Sequence, residues 1–157
     1  MPRYFLDTSA LAKLYREEVG TAFVDRIFSE RTSQHVISRL TILEMESVFA
    51  LKLRTGEIDQ QAALLARRRL EADLGHSRLL VAAVNDDNFR DARQFLIKHG
   101  GAEALRTLDA LQLSIALVLK QAGLVTLFVA ADQRLCRVAA LEGFAVINPE
   151  QPSSVDL

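Results

Sequence analysis

Two acidic residues in this sequence directly follow stretches that are typical of strands. Asp7 comes after residues 3–6, and Asp132 comes just after residues 126–130. Both stretches are short and apolar, and the residues that follow them have helical spacing. Ligand crevices in open parallel sheets lie outside the carboxyl ends of the strands, so we expect both carboxylates at one edge of a sheet.

Two further acids are contributed by predicted helices. Asp109 lies in the first turn of an otherwise apolar helix, where a charge is costly to bury but the positive end of the helix dipole favours it. Glu44 lies about one and a half turns into a helix that starts at Ser38, and apolar neighbours such as Met45 partly enclose it. Four acids that project to one place repel one another unless a cation is present, and such hard oxygen ligands suit magnesium or manganese.

Each acid also has an ordinary structural explanation. Asp7 and Asp132 could cap the helices that follow them. Asp109 could serve only to interact with the positive end of the helix dipole. Glu44 could be a solvated helix residue. Each explanation suffices for one residue taken alone, but the combination of four acids favours a site.

The composition limits the class of protein. The chain has 157 residues, half of them hydrophobic, which fits one domain with a sizeable core. The formal net charge of −1 argues against nucleic-acid binding through bulk positive charge. The single cysteine, Cys136, cannot form an internal disulfide, and the N-terminus lacks a signal peptide, so a cytoplasmic location is expected. No apolar stretch is long enough to predict a membrane helix.

Strands and helices are predicted to alternate along the chain, which favours an α/β fold with a mainly parallel sheet and helices on both faces. The predicted strands are residues 3–6, 35–37, 79–84, 126–130 and 145–147. The predicted helices are residues 9–16, 21–29, 39–54, 59–74, 86–98, 107–122 and 132–141. Their expected N-caps include Asp59, Asp86 or Asp87, Thr107 and Asp132. Residues 1–149 are predicted to form a single domain, and residues 150–157 a C-terminal tail.

At these residues the sequence resembles the PIN-domain nucleases, in particular the VapC-type toxins of bacterial toxin–antitoxin pairs. Four ordered motifs carry the resemblance, and together they span nearly the whole chain. They are residues 1–14 with Asp7-Thr8-Ser9-Ala10-Leu11, residues 38–44 from Ser38 to Glu44, residues 108–113 with Leu108-Asp109-Ala110, and residues 129–135 with Asp132, followed by Ala139, Ala140 and Gly143. Any one motif is weak, whereas all four in order are specific.

The resemblance implies a three-layer α/β/α domain with a five-stranded sheet of order 3-2-1-4-5. It also implies an endoribonuclease that depends on Mg²⁺ or Mn²⁺ and cleaves single-stranded or loop RNA. The implied catalytic and metal-binding residues are Asp7, Glu44, Asp109 and Asp132, with Thr8, Ser9 and Ser38 as hydrogen-bonding support. Ala131 stands where many relatives carry Thr or Ser. The implied partners are a second copy of the chain and a cognate VapB-like antitoxin.

The RNA phosphates would need cations near the acids, and Arg39, Arg106 and Arg134 are the candidates. Two alternatives remain open. One is a non-catalytic PIN-like RNA-binding module. The other is a phosphatase-like α/β domain with Asp7 as nucleophile, which would favour a second Asp at the position of Ser9.

Overall fold

Short strands alternate with helices, as the apolar patterns predict. We describe the protein from a computed structural model, in which residues 1–153 are described; the predicted tail at 150–157 therefore lies partly outside the described residues. The strands are β1 (Arg3–Leu6), β2 (Gln34–Ser38), β3 (Leu80–Ala82), β4 (Leu127–Val129) and β5 (Ala145–Ile147). The helices are α1 (Thr8–Leu11), α2 (Thr21–Ser29), α3 (Arg39–Arg54), α4 (Gln60–Gly75), α5 (Asp86–His99), α6 (Thr107–Gln121) and α7 (Gln133–Leu141), with a 3₁₀ turn at Ala12–Leu14.

The five strands form one parallel sheet in the order β3-β2-β1-β4-β5. The central strand β1 pairs with β2 and β4, so Tyr4 lies opposite His35 on one side and Leu127 on the other. Parallel neighbours require crossovers, and helices supply them here. The predicted α/β class, the parallel sheet and its strand order are confirmed.

Each face of the sheet is covered by a separate apolar core. Side chains alternate along a strand, so Tyr4 and Leu6 join one core while Phe5 joins the other. The first core is completed by α1 to α4, and the second by α5 to α7. The sheet and the helices on its two faces form the three layers. The carboxyl ends of β1, β2 and β4 lie together at one edge of the sheet.

Some predicted helix starts are wrong. The N-cap of α5 is Asn85, not Asp86 or Asp87, because Asn85 and Asn88 each accept a hydrogen bond from the other's backbone N–H. The N-cap of α6 is Arg106 instead of Thr107, and no side chain caps that helix. Asp59 and Asp132 are N-caps as predicted.

Two elements are shorter or less buried than predicted. The first helix ends at Leu11, and the hydroxyl of Thr21 donates to the carbonyls of Lys13 and Arg16 beyond it. In α6 only residues 110–116 are buried, and the residues at its two ends are half-buried or exposed. Among the described residues, no helix is long and apolar enough to cross a membrane.

Candidate active site

Asp7 and Asp132 lie at the carboxyl ends of adjacent strands. The backbone N–H of Asp7 donates to Val129 O at 2.9 Å, which ties the end of β1 to β4. Ser9 links the two ends, since its hydroxyl donates to Asp7 Oδ2 at 2.7 Å and accepts from Ala131 N at 2.9 Å. Both acids also cap helices, α1 and α7 respectively, so the capping explanation and the site are compatible.

Asp7 is a buried carboxyl group with a perturbed pKa. Its relative exposure is 5%, and burial raises the pKa of this carboxyl from 3.8 to about 6. Hydrogen bonds from the Ser9 hydroxyl and backbone N–H oppose the shift, while the charges of Asp109 and Glu44 add to it. A raised pKa is what an acidic cluster predicts, but desolvation contributes more to it than repulsion between the acids.

Asp109 and Asp132 share one arginine. Arg106 Nε lies 3.0 Å from Asp109 Oδ2, and Arg106 Nη2 lies 2.9 Å from Asp132 Oδ2. The other oxygen of Asp132 accepts from the backbone N–H groups of Arg134 and Leu135, at 2.8 and 3.1 Å. Burial raises the pKa of Asp109 although the Arg106 guanidinium opposes this, and the hydrogen bond to Asp109 raises the pKa of Arg106.

Glu44 is held by uncharged donors. Its Oε1 accepts from the Thr8 hydroxyl at 3.1 Å and from the side-chain amide of Gln112 at 2.7 Å. Gln112 in turn accepts from the Ser38 hydroxyl at 2.7 Å. The predicted supports Thr8 and Ser38 therefore both belong to the network around Glu44.

A shallow cleft opens beside these acids. It has a volume of about 340 Å³ and is lined by Glu44, Arg106, Thr107, Leu108 and Asp109. Larger cavities of about 610 and 510 Å³ lie near Lys13 and Asp73, and none of the four acids lines them. The smaller cleft is the candidate site, because it is lined by two of the four acids and a reaction needs such groups more than a large cavity.

The four acids fit a divalent cation by their chemistry more than by their present geometry. They are hard oxygen donors, and the hydrogen bonds to the Asp7 carboxylate within residues 1–153 come from Ser9 alone. In the described part of the chain, however, no three acidic, histidine or cysteine side chains are placed to hold one metal ion. The guanidinium of Arg106 pairs with one oxygen of Asp109 and one oxygen of Asp132.

The contacts of Arg106 and Gln112 differ from what the sequence indicates. Arg106 was considered as an RNA contact, but it pairs with two of the acids. The acidic edge is the edge of the sheet at which Asp7, Glu44, Asp109 and Asp132 lie. Arg39 is exposed at the start of α3, directly after β2, and so lies at this edge. Arg134 also lies near it, because its charge lowers the pKa of Asp109. Gln112 was missed; the available signal is one amide inside an otherwise apolar helix, three residues after Asp109.

Other titratable groups have structural partners. His35 is buried, stacks on Tyr4 and lies 2.9 Å from Ile27 O through its Nε2. His99 lies 2.6 Å from Glu142 Oε1. Burial raises the pKa of the Cys136 thiol to about 11, which disfavours the reactive thiolate.

The fold and the acidic edge define an α/β protein with a crevice at the carboxyl ends of its central strands. The PIN domain profile matches residues 4–141 of the chain. The chain therefore belongs to the PIN-domain family. No curated protein matches the chain significantly.

Solved structures with the same fold include toxins and toxin–antitoxin complexes. VapC20 of Mycobacterium tuberculosis, a sarcin-ricin loop cleaving toxin, is 20% identical, with a TM-score of 0.64 over 96% of this chain and 99% of its own. PAE2754 from Pyrobaculum aerophilum is 24% identical, with a TM-score of 0.64 over 95% of this chain and 85% of its own. VapBC2 from Rickettsia felis, bound to a DNA fragment from its promoter, is 14% identical, with a TM-score of 0.60 and coverages of 93% and 98%. At these identities the likeness is one of fold.

Proposed function

We propose that this chain is a magnesium- or manganese-dependent endoribonuclease of the VapC type that cleaves single-stranded or loop RNA. The observation that carries the proposal is the buried Asp7 carboxylate, which lies near enough to Asp109 and Glu44 for their charges to raise its pKa and which receives hydrogen bonds within residues 1–153 only from Ser9. A group of oxygen donors with excess negative charge suits a hard divalent cation. Membership of the PIN-domain family and the likeness to a sarcin-ricin loop cleaving toxin support the same function.

The chemistry can be divided among the four acids. A bound magnesium ion would acidify the attacking water, offset the phosphate charge and stabilise the leaving oxygen. Asp7 and Asp109 are proposed as the main ligands, and Asp132 as a ligand that binds directly or through water. Glu44 would ligate the ion or orient the attacking water. Ser9 and Thr8 hold the carboxylates of Asp7 and Glu44 in place by hydrogen bonds.

RNA would approach a negatively charged edge, so local cations must offset the repulsion between carboxylates and phosphates. Arg39 and Arg134 are proposed to contact the phosphates on either side of the cleavage point. Arg106 can serve the same purpose only when its guanidinium is not held by Asp109 and Asp132.

The main test is cleavage of a fluorescent single-stranded RNA and a fluorescent hairpin in manganese, with a chelator control. Asp7→Asn and Asp109→Asn should each lower the rate about 100-fold or more, because each removes several kcal/mol of charge stabilisation at the reacting phosphate. Glu44→Gln should also be severe. Asp59→Asn is the matched control, since Asp59 is also an N-cap aspartate but caps α4. Activity above a few per cent in either folded variant would count against the assignment.

The same assay separates the alternatives. A non-catalytic module would bind the RNA without cleaving it in any metal. A phosphatase-like domain would release phosphate from a monoester and leave internal phosphodiester bonds intact.

We further propose a cognate antitoxin and a homodimer as partners. The helices α3 and α4 expose several leucines, and VapBC2 and FitAB are toxin–antitoxin complexes of the same fold. The exposed leucines on these helices are Leu43, Leu51, Leu64 and Leu65. Exposed leucines on two helices that pack against each other favour protein contacts there.

Size-exclusion chromatography with light scattering tests the assembly. The wild-type chain should elute as a dimer at roughly tens of micromolar, the concentration range expected for a weak interface. Leu64→Glu combined with Leu65→Glu should give a folded monomer if the α4 leucines form that contact. A monomeric wild type would remove the homodimer, and an adjacent reading frame without a short DNA-binding partner would remove support for the antitoxin.

A further inference from the structure

Gln112 connects three of the elements that build the acidic edge. Its relative exposure is 0%, and it lies on α6 one turn after Asp109. Its Nε2 lies 2.7 Å from Glu44 Oε1, 2.8 Å from Thr41 Oγ1 and 3.4 Å from Thr8 Oγ1. Its Oε1 accepts from the Ser38 hydroxyl at 2.7 Å. One buried amide therefore joins the end of β2, the first turns of α3 and the start of α1.

This network engages only one oxygen of Glu44. Both Gln112 and Thr8 donate to Oε1, whereas Oε2 takes part in no hydrogen bond within residues 1–153. Two donors on one oxygen fix the rotation of the carboxylate as well as its position. The other oxygen is then directed away from the buried network, and Glu44 lines the cleft that it shares with Asp109.

We propose that Gln112 is the positioning residue for Glu44. It anchors Oε1 and thereby leaves Oε2 available to a divalent ion or to the water bound to that ion. This inference rests on the proposed function, because it assigns a use to the free oxygen. Gln112 lies inside the motif of residues 108–113, but the sequence pattern assigns it no role in the site.

The chemistry of position 112 requires an amide. The side chain must accept from Ser38 while it donates to Glu44 and Thr41, and an amide supplies one acceptor and two N–H donors. Glutamate would bring a like charge against Glu44, and methionine would keep the length but remove the donors. Asparagine is one methylene shorter and could not span the same partners.

The experiment measures manganese affinity by calorimetry, independently of any RNA. Gln112→Met should weaken the affinity roughly 10- to 100-fold, the usual effect of removing a group that orients a metal ligand. Ser114→Ala is the matched control, because Ser114 is also buried on α6 but donates only to Leu111 O. The control should bind manganese as tightly as wild type.

A double-mutant cycle separates positioning from general damage. In a Glu44→Gln background, Gln112→Met should cause no further loss of affinity, because the carboxylate it positions is gone. Unchanged affinity in Gln112→Met, or an equal loss with and without the Glu44 carboxylate, would overturn the positioning role. If Glu44→Gln and Asp7→Asn both bind manganese like wild type, the proposed function itself fails, which is a different result.

A measurement on the wild-type chain covers the case in which Gln112→Met does not fold. The side-chain amide of Gln112 should give a nuclear magnetic resonance signal that is protected from water and that shifts as magnesium is added. A signal that exchanges freely, or one that is unaffected at saturating magnesium, would contradict the proposal.

Discussion

The acidic edge has two halves, and the carboxylates of each half are held by a different kind of hydrogen-bond donor. In the amide-anchored half, uncharged donors from Thr8 and Gln112 hold Glu44. In the arginine-paired half, Asp109 and Asp132 share the guanidinium of Arg106. The donors of the first half are buried, whereas the Arg106 side chain is 62% exposed.

The difference has consequences for charge and motion. Neutral donors hold a carboxylate in place without neutralising its negative charge. The amide-anchored half therefore keeps a charge that can attract a cation. The Arg106 guanidinium offsets one of the two carboxylate charges and, because it is largely exposed, can leave without a large desolvation change. Asp7 lies near both halves and belongs to neither, since it is buried and its pKa is raised to about 6.

The largest expected effect concerns the buried charge of Asp7. Its pKa is about 6 in the folded chain and 3.8 ordinarily, so the ionised form destabilises the fold at neutral pH. As the pH falls through 6, the folded chain binds a proton that the unfolded chain does not yet bind. Stability is therefore gained between neutral pH and about 4, by an amount on the order of 2–3 kcal/mol.

Urea unfolding of wild type and Asp7→Asn, with a chelator present, measures this gain. Relative to Asp7→Asn, wild type should be stabilised by that amount between pH 7.5 and 4.5, because asparagine does not titrate. Asp59→Asn, which removes an exposed cap carboxylate, provides the comparison for general charge effects. A difference between wild type and Asp7→Asn that does not depend on pH would show that Asp7 does not carry the buried charge.

The sequence predicts the number and order of the strands better than the ends of single elements. The apolar stretches around Phe5 and Phe128 mark the central strands because such strands are buried on both faces. β3 is shorter than the predicted 79–84, because an edge strand pairs on one side only and its apolar residues Leu80 and Val81 are exposed. The wrong N-cap of α5 has a different cause: Asn85 and Asp86 are both good caps, and only the reciprocal bonds with Asn88 distinguish them.

For the site, spacing identifies residues but not their partners. The strand ends predict Asp7 and Asp132, and the motif order adds Glu44 and Asp109. The pair Arg106 and Asp109 is visible as an i, i+3 spacing, yet its extension to Asp132 depends on how α6 and α7 meet. The contacts of Gln112 span 68 residues to Glu44 and 104 to Thr8, so local spacing cannot reveal them.

A smaller effect is expected from the arginine-paired half. Arg106 and a divalent ion compete for the same carboxylate oxygens, so Arg106→Gln should tighten manganese binding about fivefold, equivalent to ~1 kcal/mol for two partly exposed pairs. Calorimetry measures the affinity, and the difference from wild type should shrink at high salt. Arg93→Gln on α5 is the matched control, because Arg93 is exposed and forms no ion pair within residues 1–153. Weaker binding in Arg106→Gln would mean that Arg106 supports the ion.

Among the four acids the mildest effect is expected from Asp132, whose side chain performs two separable functions. Oδ1 caps α7 through the N–H groups of Arg134 and Leu135, while Oδ2 pairs with Arg106. Asparagine caps a helix as well as aspartate does, so Asp132→Asn should keep the stability of wild type, whereas Asp132→Ala should lose about 1 kcal/mol. Both variants remove the charge, and RNA cleavage should fall by roughly tenfold in each, as for a water-mediated ligand. Urea unfolding and cleavage rates of the two variants separate the functions: if Asp132→Asn cleaves as slowly as Asp7→Asn, Asp132 is a direct ligand and the water-mediated role proposed for it is wrong.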